Sequence, residues 1–244
     1  FAVPGVHEFC HTLDGTDDAE RLHQVLLEQF LRLKLMKKAD KLSVAVIGGG
    51  ATGVELVAEL YKLVDSLPVY GFRGIQRQSL EVSLIEAAPR ILSGLPKRIS
   101  EHTSSVLAAL GVRVITGLAV SSIDRNTLYF DSGTQQNADI VIWCAGIKCP
   151  EVLRNLGGLT VNSINQVVVD QSLCSVDDPA IYALGDCAAC VQGDGRPIPP
   201  CAQAAHQMSA YLYRNFLRQI KGQLPRPFNC LLYTSPSPRD LSTS

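Results

Sequence analysis

The stretch Val44-Ala-Val-Ile-Gly48-Gly-Gly50-Ala-Thr-Gly53-Val-Glu55 constrains the fold of this chain more than any other. An apolar run leads straight into glycines spaced G-x-G-x-x-G, and a helical pattern follows them. Gly48 permits a tight turn out of the strand. Gly50 lets the backbone approach a pyrophosphate, and Gly53 lets the helix pack closely, so that its N-terminus faces the phosphates. Three glycines alone are weak evidence, because glycines also build ordinary turns. The strand before them and the helix after them supply the context a dinucleotide needs.

A second apolar run, Glu81-Val-Ser-Leu-Ile-Glu86, ends in a carboxylate. At that place Glu86 can accept a hydrogen bond from a ribose 2′-hydroxyl and would repel a 2′-phosphate, which favours NADH over NADPH. The gap from Gly48 exceeds the usual roughly twenty residues; a loop over 68–78, with Pro68, Gly71 and Gly74, takes up the extra length. Arg90 stands close by in sequence and would soften the preference.

The rest of the chain alternates strand and helix. Leu22, Val25, Leu26, Phe30, Leu33 and Met36 recur at helical spacing, with Thr16 or Asp17 as the cap. The basic run Lys34-Leu-Met-Lys-Lys38 reads as a solvated helix end. Strands are predicted over 41–47, 81–86, 112–115, 120–123, 127–130, 138–143, 167–169 and 181–184. Helices are predicted over 53–67, 98–110 and 202–220, with a short one after Pro150. Such alternation makes a parallel sheet covered on both faces, an α/β class.

Composition narrows the function. A net charge of −1 with 46% hydrophobic and 18% charged residues carries no electrostatic signature for nucleic acid. No stretch reaches the roughly 18 apolar residues a membrane-spanning helix requires. Eight scattered cysteines suit reduced thiols better than a disulfide framework. Cys187-Ala-Ala-Cys190 is a C-x-x-C, but no second C-x-x-C or C-x-x-H accompanies it, so no metal site is expected. Phe1 reads as an internal residue of a longer protein. The last residues, 230–244, resemble a translated sequencing-library adapter and are set aside.

Downstream, Ile181-Tyr-Ala-Leu-Gly185-Asp186 runs a strand into Gly-Asp, and Trp143-Cys-Ala-Gly146-Ile147 closes the preceding domain. Taken with Phe1-Ala-Val-Pro-Gly5, the glycine loop, Ile85-Glu-Ala and Ala202-Gln-Ala-Ala-His-Gln207, these segments resemble type II NADH:quinone oxidoreductases of the bacterial kind. The resemblance runs from Phe1 to about Pro227. It departs at Met208, where many members carry an acidic or amide residue.

That resemblance implies a two-dinucleotide-binding-domain flavoprotein fold, with a Rossmann-type NADH domain between parts of an incomplete FAD domain. Residues 1–38 would be a partial FAD-domain segment and connecting helix, 39–148 the NADH domain, and 149–229 the C-terminal part of the FAD domain. NADH would pass a hydride to FAD, and the flavin would pass electrons to a membrane quinone without proton pumping. Gly146 and Asp186 would belong to the cofactor sites and Glu55 to the nicotinamide side of the flavin. Ala202, Gln203 and Gln207 would line the quinone site. The full-length protein would sit peripherally on the cytoplasmic face of a bacterial inner membrane, and a homodimer is among the assemblies allowed. Two other readings stand beside this one: a disulfide reductase using Cys187 and Cys190, and a non-catalytic NADH-binding module.

Overall fold

The computed structural model describes residues 3–36, 41–146 and 149–231. The chain divides into two compact units, Phe1–Gly146 and Ile147–Ser244.

In the first unit, α1 (Val6–Phe9) and β1 (His11–Thr12) lead into α2 (Thr16–Met36). β2 (Leu42–Ile47), α3 (Ala51–Ser66), β3 (Leu80–Glu86), α4 (Lys97–Ala109) and β4 (Arg113–Thr116) then alternate. β5 (Val120–Asp124), β6 (Thr127–Phe130) and β7 (Gln135–Asn137) form an antiparallel sheet of their own before β8 (Ile140–Trp143). The main sheet is parallel, in the order β1-β8-β2-β3-β4.

Period-two alternation explains its two coverings. Leu42, Val44 and Val46 of β2 pack with Leu60 and Val64 of α3, Leu26 and Phe30 of α2 and Leu107 of α4. Ala45 and Ile47 face the other way, into a core with Ile123, Leu128 and Phe130 of the antiparallel sheet. Both faces are covered as the sequence predicts, one by helices and the other by strands. Ser83 joins the two layers: its buried hydroxyl accepts from Arg113 on β4 and from Gln136 Nε2 on β7 at 3.1 Å.

Residues 3–36 pack in the same compact unit as the Rossmann sheet, and the division between the units, at 146/147, lies two residues from the expected 148/149. β1 pairs with β8, and Leu22, Leu26 and Phe30 are buried in the same core as α3. Thr16 and Asp17 lie inside the first turn of α2; the carboxylate of Asp18 reaches back to the Asp14 N–H at 3.0 Å. The Arg21 guanidinium beside it holds the Asp18 carboxyl below its ordinary range. Of the basic run, Lys34 donates to the Gly71 carbonyl at 2.9 Å and stands 5.2 Å from the centre of the Phe72 ring. Lys37 and Lys38 lie outside the described residues.

The second unit is built around α5 (Ala202–Ile220), whose Ala204, Met208 and Leu212 form one buried stripe. Against it lie β9 (Val167–Val168) and β10 (Ala188–Ala189), paired in parallel. The strand predicted over 181–184 is reduced to a single bridge between Tyr182 and Cys174. Its neighbour is a turn: Leu173 is left-handed at φ 62°, and Asp170 Oδ1 accepts the N–H groups of Ser172 and Cys174. A turn cannot extend a ladder.

Phe30 tests whether α2 belongs to the Rossmann core. Phe30→Ala should lower the unfolding free energy of the first unit by about 3–5 kcal/mol, read from urea denaturation. Leu35→Ala, which truncates an exposed side chain on the same helix, should leave the midpoint almost unmoved.

Candidate functional site

β2 carries Gly48 out of the sheet at φ 108°, a backbone conformation that favours glycine. Crowding requires glycine as well: a methyl group there would lie 2.7 Å from the Ala145 nitrogen at the end of β8. At Gly53 the constraint is purely spatial. A methyl would lie 2.0 Å from the Gly48 carbonyl oxygen, so α3 sits directly on the loop. Gly50, the residue preceding α3, faces open space, and no side chain caps the helix there. The first N–H groups of α3 are thus left for an anion.

Glu86 is brought to this loop from the end of β3. Its Oε2 accepts the Gly49 N–H at 2.6 Å, and its Oε1 accepts the Ala88 N–H at 2.8 Å. Charge-assisted bonds of this kind are short and fix geometry. Arg90 behaves differently from the sequence reading. Its guanidinium donates to the carbonyls of Leu92, Ser93 and Leu95 within its own loop. Ile91 and Leu92, which the sequence reading passed over, close the site from below. Ile91 is fully buried under Gly49, and the Leu92 N–H donates to the Gly49 carbonyl at 2.7 Å. The signal was present as an apolar pair inside a Pro/Gly-bounded loop.

Glu55 lies exposed on the second turn of α3. Gly146 ends the unit at φ 75°, while Ile147 and Lys148 lie outside the described residues.

In the second unit the Gly-Asp turn and α5 are in contact. Gly185, at φ 67°, lies against Ala205, and its N–H donates to the Met208 sulfur at 3.1 Å. The residue that departs from the family pattern thus supplies a soft acceptor to the turn. Asp186 is exposed, and its backbone carbonyl accepts from Gln166 Nε2 at 2.8 Å and from Cys149 Sγ at 3.1 Å. Ala202 and Gln203 are exposed on the first turn of α5. Gln207, one turn further, accepts the Leu231 N–H at 2.9 Å. The structure therefore gathers Asp186, Gln203 and Gln207 around one turn–helix junction of the second unit; Glu55, Gly48, Gly50, Gly53 and Glu86 belong to the first.

Cys187 and Cys190 are free thiols facing different acceptors, the carbonyls of Leu184 and Asp170. Burial pushes the Cys190 thiol up to about 11, so it stays protonated at neutral pH. A redox thiol must be accessible as the thiolate, and the burial of Cys190 opposes that role for it.

Residues 1–209 match the model of the family described as pyridine nucleotide-disulphide oxidoreductase. A type II NADH:quinone oxidoreductase from Haemophilus influenzae is 37% identical over 93% of this chain and 55% of its own length. NDH2 from Plasmodium falciparum, solved in complex with NADH, superposes with a TM-score of 0.78 at 20% identity, over 94% of this chain and 63% of that one. A NAD-dependent persulfide reductase from A. fulgidus shares the fold at a TM-score of 0.65 and 22% identity, over 96% of this chain and 39% of that one. The chain spans about half the length of the curated relatives it matches.

Two alanine substitutions separate crowding from openness in the loop. Gly53→Ala must move backbone and should cost several kcal/mol of stability, on the order of an overpacked core site. Gly50→Ala meets nothing at an ordinary φ of −74° and should shift the thermal midpoint little. Equal effects at the two positions would contradict the contact between Gly53 and Gly48.

Proposed function

Because the chain belongs to the pyridine nucleotide-disulphide oxidoreductase family, we propose that its full-length protein is a type II NADH:quinone oxidoreductase, taking electrons from NADH through FAD to a membrane quinone without pumping protons. The observation that carries the reading is the junction of the 185–187 turn with α5, which sets a Gly-Asp turn beside a helix start bearing Gln203 and Gln207. Similarity to the Haemophilus relative along nearly the whole chain supports it.

The glycine loop suits NADH. Open space at Gly50 and uncapped N–H groups on α3 would receive the pyrophosphate. Glu86, already anchored by Gly49 and Ala88, offers its remaining lone pairs to a ribose hydroxyl. With Arg90 committed to its own loop, a 2′-phosphate would meet the Glu86 carboxylate. Glu55 is the carboxylate we assign to the nicotinamide side, and Gly146, at the end of the first unit, we assign to cofactor binding.

FAD fits the second unit through an exposed carboxylate: Asp186 would hold its ribityl hydroxyls. Bound there, FAD supplies the chemistry that accepts a hydride and returns electrons to a quinone. Gln203 would donate its amide N–H to a quinone carbonyl, Gln207 would assist from one turn on, and Ala202 would leave room for a flat ring. Peripheral attachment to the cytoplasmic face of the inner membrane, and a homodimer, belong to the same proposal. No helix among the described residues is long and apolar enough to cross a membrane.

Two measurements on the full-length protein test this. Glu86→Gln should narrow the preference for NADH over NADPH by about tenfold, the equivalent of about 1.4 kcal/mol; unchanged selectivity in nucleotide titrations would remove Glu86 from the ribose. Gln203→Leu should raise the quinone KM or slow quinone turnover while stopped-flow reduction by NADH stays at the parent rate. Were both half-reactions to fall together, or neither to change, Gln203 would have no place in a quinone site.

A further inference from the structure

The Asp186 carbonyl is the focus of a polar cluster that the proposed chemistry does not use. Gln166 is buried, and its amide has one orientation available. Oε1 accepts Asn162 Nδ2 at 2.8 Å, which leaves Nε2 to donate to Asp186 O at 2.8 Å. Asn162 is fixed in turn, its Oδ1 accepting the N–H groups of Ile164 at 3.1 Å and Gln166 at 3.0 Å. The turn closes with the Asn162 N–H on the Gln166 carbonyl at 2.9 Å, and its Asn165 is left-handed at φ 63°. Asn165 Nδ2 then donates to the Cys149 carbonyl at 3.1 Å, while Cys149 Sγ donates to Asp186 O. Three segments separated in sequence (149, 162–166 and 185–187) thereby meet on one backbone oxygen.

We propose that Gln166 is a positioning residue for the flavin, acting through Asp186. The inference rests on the assignment of Asp186 to FAD. Gly185 is left-handed, and among the described residues its N–H is held by a thioether, a weak acceptor. The peptide before Asp186 is held by the Ala188 N–H on the Gly185 carbonyl; the peptide after it is oriented chiefly by what grips the Asp186 carbonyl, and the stronger of those two donors is the Gln166 amide. Remove that donor and the carbonyl keeps only the weak Cys149 thiol. Rotation of the peptide recovers a partner but swings the Asp186 carboxylate with it. Asn162 acts one step further back, by choosing which end of the Gln166 amide faces the turn.

The test uses the full-length protein and FAD itself, with affinity read from flavin fluorescence and the bound flavin's midpoint potential from redox titration. Asp186→Asn comes first: if FAD binds it as tightly as the parent, the flavin assignment fails whatever Gln166 does. Given a weakened Asp186→Asn, Gln166→Met should raise the FAD dissociation constant roughly tenfold and shift the potential. Gln166→Glu keeps length and the acceptor for Asn162 but lacks the N–H donor, and should behave alike; either variant that retains the parent circular dichroism is decisive. Combined with Asp186→Asn, each should add little, because both substitutions disable one device. Parent-like FAD affinity in the Gln166 variants, or effects that multiply in the double variants, would overturn the proposal.

Discussion

Everything in the first unit follows from a helix that touches a loop with no side chain between them. Gly53 lies so close to the Gly48 carbonyl that even a methyl group would collide with backbone. That approach lets α3 begin immediately after Gly50, and the direction of its first N–H groups is set by the sheet rather than by the helix alone. The same closeness sets the depth at which Leu60 and Val64 reach the sheet, and hence where α2 can lay Leu26 and Phe30. Glu86 then ties the loop to β3 through Gly49, so loop, helix and neighbouring strand form one rigid corner.

Much of that corner was legible in the sequence because its causes are local. Apolar runs of both-faces-buried residues mark β2, β3 and β8, and helical spacing marks α3, α4 and α5 to within one or two residues. The extra length before Glu86 falls where Pro68 and Gly71 stand, in a short 3-10 turn and its glycine stop. What escaped the sequence depends on packing between distant segments. Nothing in the spacing of Leu22, Leu26 and Phe30 says which sheet they cover; only folding shows that they pack in one core with α3 and β2. The 181–184 segment has strand composition, but a strand is also made by its neighbour, and here the neighbour turns away.

The candidate site divides in the same manner. Glycines and a terminal carboxylate announce themselves by type and order, whereas the residues that hold them do not. Gln166 sits before an apolar run and looks like an ordinary solvated amide; only folding brings Asn162 to one of its ends and Asp186 to the other. Met208 reads as a departure from a family pattern, yet its sulfur meets the Gly185 N–H, and its thioether fills a position where a charge would be costly to bury. Arg90 illustrates the opposite error, a charge near a site in sequence whose donors are spent elsewhere.

The detour between α3 and β3 carries a consequence for how such sites are found. Gly49 and Glu86 are 37 residues apart along the chain, yet their atoms are in hydrogen-bond contact. The intervening segment leaves α3 through a 3-10 turn, is clipped to the helix end by Arg77 and Asp65, and rejoins the sheet in register at Leu80. Spacing in a dinucleotide fingerprint is therefore a record of the path the chain takes, while the invariant is the corner in space that the path must return to. A pattern search written as a fixed gap would pass over this chain, and one written as strand, loop, helix and strand-end carboxylate would find it.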